Sequence, residues 1–88
     1  MENALNWFEI PVLDMDRAVR FYSTIMGFAQ PMEAGPSAEG YQMAMFPTTS
    51  GVGGALLRGE GYVPSMDGTI VYLNCGDDLQ PVQDRVEA

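Results

Sequence analysis

The stretch Leu5–Gly27, LNWFEIPVLDMDRAVRFYSTIMG, joins a half-buried strand to a capped amphipathic helix with almost no linker. In the strand, Phe8, Ile10 and Val12 alternate with Trp7, Glu9 and Pro11, so one face is apolar and the other presents an indole and a carboxylate. Asp14 stands where an N-cap is needed. Met15, Ala18, Val19, Tyr22, Ile25 and Met26 follow at helical spacing and lead to Gly27, a C-terminal cap. Packing the strand's apolar side against the helix's apolar stripe leaves Trp7 and Glu9 on the opposite, uncovered face of a sheet. A ligand would bind on that face.

The remaining residues read as partners for this strand. Phe28–Glu33 is a candidate second strand, confined to an edge by Pro31, and Ala34–Gly40 is a turn. Tyr41–Phe46 alternates Tyr41, Met43 and Met45 against Gln42, Ala44 and Phe46, as a third strand with both faces at least partly covered. Thr48–Gly54 reads as a hairpin connection into a fourth strand at Ala55–Arg58. Residues 1–61 thus form one strand-helix-three-strand module, and the glycine-rich loop Gly59–Gly68 contains a linker at 62–68. Residues 69–88 repeat the opening: a strand at Thr69–Cys75 in which Ile70, Tyr72 and Asn74 share one face, then a helix capped by Asp78 with Pro81 in its first turn. The chain stops at Ala88 within that helix. The expectation is an α+β fold with an incomplete second module, from a truncated product, a fragment, or a chain that completes its sheet as a homodimer or with another chain.

Twelve acidic residues against four arginines give a formal charge of −8, which argues against nucleic acid and anionic membranes as partners. No apolar run approaches the roughly 20 residues of a membrane span, and Met1–Asn6 lacks the features of a signal peptide, so a cytoplasmic location is expected. The chain has no histidine and a single cysteine, Cys75. No disulfide, thiolate zinc site or Ser-His-Asp arrangement is then possible within it. The glycines around residue 53 lack the Gly-Lys-Ser/Thr ending of a phosphate loop.

FEIPVLDMDRAVRFYSTIMGF resembles the opening of the vicinal oxygen chelate superfamily, which includes glyoxalase I, bleomycin-resistance proteins and extradiol dioxygenases. GVGGALLRGEGY and TIVYLNCGDDL resemble its glyoxalase-like bacterial members. The resemblance implies paired βαβββ modules whose mixed sheet curls into a cup, with helices on the convex face and the ligand inside. It also implies metal ligands, mostly histidine and glutamate, from the first and last strands of each module. Here those positions fall at Trp7, at about Ile70, and among Gly54, Ala55, Leu56 and Leu57. None binds a metal, and one carboxylate does not hold a divalent ion, so neither metal nor cofactor is expected.

The candidate ligand contacts are Trp7, Glu9, Gln42, Tyr72 and Asn74. Trp7 and Tyr72 supply aromatic walls, and Glu9 is placed to bind a cationic or hydroxyl-bearing ligand or, if buried, to act as a base. Against these stand plainer roles: core packing for the aromatics, sheet or turn hydrogen bonds for Gln42 and Asn74, and for Glu9 solvation or an ion pair with Arg58. Met43 and Met45 suit an adaptable lining or ordinary core. No catalytic residue is identified. The leading function is metal-free binding of a small organic molecule. The alternatives are a metal-dependent lyase, isomerase or dioxygenase, and an oligomerising half-module without its own site.

Overall fold

The computed structural model describes residues 3–88; Met1 and Glu2, the start of the first predicted module, lie outside the described residues. In chain order the elements are β1 (Trp7–Pro11), α1 (Met15–Ile25), β2 (Gln42–Met45), β3 (Gly53–Arg58) and α2 (Gln80–Glu87). The strands form one mixed sheet in the order β1-β3-β2, with β1 parallel and β2 antiparallel to β3. No helix among the described residues is long and apolar enough to cross a membrane.

The opening strand and helix form as their pattern dictates. Pro11, which has no amide to donate, is tolerated because β1 is an edge strand. The Asp14 carboxylate accepts from the Arg17 amide at 3.1 Å and caps α1. At the other end Gly27 adopts φ +67°, the Phe28 amide reaches back to the Ser23 carbonyl at 3.2 Å, and the Gly27 amide reaches the Thr24 carbonyl at 3.2 Å. This paired closure needs a left-handed residue, which glycine supplies without a Cβ clash.

β1 buries its predicted face. Val12, Met15, Met32, Ala44, Phe46 and Leu56 make the core, with Phe8, Ile10, Ala18, Val19 and Tyr22 packed against it. Burial raises the pKa of the Tyr22 phenol. The buried Ser23 hydroxyl accepts from the Met32 amide at 2.8 Å, tying the segment after α1 to the helix.

Phe46 is the hub of the aromatic packing. Its ring centroid lies 5.4 Å from Phe8, 5.7 Å from Tyr22 and 6.3 Å from Phe28. The Phe8 ring covers Gly54, where a Cβ would overlap it. Gly54→Ala is therefore expected to cost about 1–3 kcal/mol, because Phe8 must leave a place bounded by Phe46. Urea denaturation checks this against Gly35→Ala, whose added methyl meets only ordinary contact and should stay within about 0.5 kcal/mol of the parent. Equal effects would show that Phe8 moves freely.

Three expectations are corrected. Phe28–Glu33 is not a strand; the nearest pairing is the single bridge from Ala34, just beyond it, to Ala44. Thr69–Cys75 is irregular and Ile70 and Tyr72 are largely exposed, since a strand needs a ladder partner and none of the described strands pairs with it. β3 begins at Gly53 instead of Ala55, and both glycines lie inside the central strand.

The second helix forms, but its N-cap is Leu79, and Asp78 instead accepts from the Gln80 amide at 2.9 Å in the turn before it. Pro81 occupies the first turn as expected. α2 packs against α1, and the Arg85 Nη1 donates to the Ile25 carbonyl at 3.0 Å. α1 has no basic residue in its own last turn, so Arg85 brings a cation to the negative end of its dipole.

Candidate functional site

The register fixes what the uncovered face of the sheet presents. Trp7 lies beside Gly53, Glu9 beside Ala55, and Pro11 beside Leu57; across β3, Ala55 pairs with Met45 and Leu57 with Met43. Strand alternation puts all of these on the side away from α1. A central strip of small residues, Gly53 and Ala55, thus runs between the Trp7 and Glu9 side chains on one edge strand and Met45 on the other. Met43 and Met45 are exposed, which corrects the expectation that β2 is covered on both faces.

Trp7 and Glu9 form a unit. The indole Nε1 donates to Glu9 Oε2 at 3.3 Å, and both residues are exposed. The spacing of two residues on a strand makes this possible, since it places both side chains on one face about two rises apart. Gly53 carries no side chain beside the indole; a Cβ there would make ordinary contact with the Trp7 ring at 3.5 Å and a tight one with Thr48 Oγ1 at 3.1 Å. The site therefore offers a flat π surface with a carboxylate oriented beside it, open to solvent. Thr48, at the rim, was not singled out from the sequence; its neighbour relation to Gly53 depends on the course of the β2–β3 connection.

The other three sequence candidates fall elsewhere. Gln42 shares the helix-facing side of β2 with the buried Ala44, and its Nε2 donates to the Gly35 carbonyl at 3.0 Å. The alternation that exposes Met43 turns Gln42 away from Trp7. Tyr72 stands 90% exposed on the irregular segment. Asn74 holds a turn through its Oδ1, which accepts from the Gly76 amide at 2.9 Å, and it borders a cavity with Phe8 and Phe46 on the helix side. Arg58 also lies on the helix-facing side, sharing a depression with Gln42, Asp14 and Asp16 rather than facing Glu9.

A divalent metal does not fit this face. Glu9 is the one carboxylate among the strand residues of this face, Trp7 and the β3 residues offer no ligand atoms in their side chains, and no group of three or more potential ligands occurs among the described residues. A family model described as Glyoxalase/Bleomycin resistance protein/Dioxygenase superfamily matches residues 4–88. No curated relative and no solved structure matches the chain.

Proposed function

The chain belongs to the Glyoxalase/Bleomycin resistance protein/Dioxygenase superfamily, and from that premise we propose that it binds a small, flat, cationic organic molecule on the open face of its sheet, without a metal. The observation that carries this reading is the Trp7–Glu9 pair. An exposed indole with a carboxylate hydrogen-bonded at its edge is a receptor for a cation that also stacks: the ring face attracts the charge and Glu9 neutralises it. Gly53 and Ala55, both small and buried, lie beside Trp7 and Glu9 on the central strand, and Met45 is the polarizable residue on the strand beyond. Chemistry on the bound molecule forms no part of the proposal.

Trp7 is the only tryptophan, so its fluorescence reports occupancy directly. Benzyltrimethylammonium is expected to quench it saturably, while the neutral carbon isostere neopentylbenzene binds more weakly. Glu9→Gln should weaken the cation by about three- to fivefold, the range for one solvent-exposed charge contact, and leave the isostere unchanged. Equal loss for both compounds, or no quenching, would overturn the reading. So would stoichiometric nickel, zinc, iron or manganese in the purified protein, since a bound metal would shift the site to residues other than these.

A further inference from the structure

On the side of the sheet away from Trp7 and Glu9, a cavity of about 240 Å³ opens between the turn after α1, the β2–β3 connection and the segment 69–75. Its walls include the rings of Phe8, Phe28 and Phe46, together with Met26, Val52 and Leu73. The rings hold one another: Phe46 lies tilted against Phe8 at 5.4 Å and edge-on to Phe28 at 6.3 Å. Thr48 and Asn74 are its polar members, and no charged side chain among the described residues lines it.

We infer that this cavity is a second binding site, for a neutral single-ring aromatic molecule bearing at most one small polar substituent. The lining decides the chemistry. With no charge to offset, an ionic ligand would lose its hydration without compensation. Three aromatic walls favour a ring packed edge-to-face or offset. The volume decides the size, since apolar cavities of roughly 150 Å³ already admit benzene, whereas drug-sized ligands occupy roughly 300 Å³ or more. Water in this open depression is held weakly by the walls, whose polar side chains are Thr48 and Asn74, so a ring displaces it at little cost. A ring would also make dispersion contacts with the aromatic walls and remove their apolar surface from water.

The cavity and the cation receptor lie on opposite faces of the sheet, because Trp7 and Phe8 are successive strand residues, and Thr48 at the end of the sheet borders both. The cavity also gives Leu73 and Asn74 a role as one wall, although their segment is in no strand.

The test is fluorine NMR of 4-fluorophenol titrated with the intact chain. A saturable shift is expected, unchanged in Glu9→Gln. Val52→Phe, which fills the cavity from the β2–β3 connection, should weaken binding by about tenfold or more. Leu73→Phe fills it from the irregular segment and should do the same without touching the sheet, so it decides the matter if Val52→Phe misfolds. Absence of a saturable shift, binding that survives the filling variant, or binding lost in Glu9→Gln would overturn the inference; the last would place the probe on the Trp7 face.

Discussion

Leu56→Ala is expected to abolish the cooperative unfolding transition or to move it to far lower denaturant. Leu56 is the largest fully buried side chain, at 0% exposure, and sits on the central strand between Ile10 of β1 and Ala44 of β2. It is therefore enclosed by both neighbouring strands and by α1, and removing three heavy atoms leaves space that neither side fills without breaking a ladder. Such changes cost about 2–5 kcal/mol. A domain of 88 residues buries a modest share of its surface, and total stabilities of about 5–15 kcal/mol leave little margin at the small end. Urea denaturation followed by far-ultraviolet circular dichroism is the measurement, with Leu13→Ala as control. Leu13 is 79% exposed and its truncation should fall within about 0.5 kcal/mol of the parent. A Leu56→Ala protein as stable as that control would show that the central strand is not where the core is concentrated.

The parts of this fold that were legible in the sequence are those fixed by local chemistry. Asp14 caps α1 because a short carboxylate reaches an amide three residues on, and Gly27 closes it because the required backbone angle is one that glycine adopts freely. The alternation through Phe8, Ile10 and Val12 selects the buried side of β1 unaided. The expectations that failed depend on a distant partner, whereas the strands at Gln42–Met45 and Gly53–Arg58 did find theirs. Thr69–Cys75 has as regular an apolar alternation as β1, but alternation describes a strand's faces and says nothing of whether another strand is available to pair with it. Gly53 and Gly54 carried a signal that was misread. Adjacent glycines fit a hairpin corner, yet in a central strand they mark a close approach, here of Thr48 to Gly53 and of the Phe8 ring to Gly54.

The candidate site divides along the same line. Trp7 and Glu9 were placed correctly on the uncovered face because their separation of two residues is a property of one strand. Gln42 needed the parity of β2 relative to β1, which is set by the register through β3 and turns it toward the helix. Tyr72 and Asn74 were assigned by analogy between two segments, and that analogy presumed a strand among residues 69–75. Arg85, which ties α2 to the end of α1, gave no signal beyond being a cation on a short helix. Its target carbonyl is 60 residues away.

Phe46→Ala is the second variant with a large expected effect, and it tests whether the aromatic hub is one cooperative unit. Phe46 is nearly buried and touches Phe8, Tyr22 and Phe28, which come from β1, α1 and the turn that follows α1. Its loss is expected to cost about 3–5 kcal/mol. Part of that is cavity formation, and part is three aromatic pairs, each contributing about 0.5–1.5 kcal/mol beyond burial. Phe46→Leu separates the two parts, since it keeps much of the volume and none of the ring geometry. A double-mutant cycle with Phe8→Leu then measures the pair itself: the double variant should lose less than the sum of the two single losses, by about 0.5–1.5 kcal/mol. Additive losses would mean that the Phe8–Phe46 pair contributes no interaction of its own and that the two rings act independently. In that case the Phe8 ring would be held over Gly54 by the helix alone, and Gly54→Ala would have to be as costly in Phe46→Leu as in the parent.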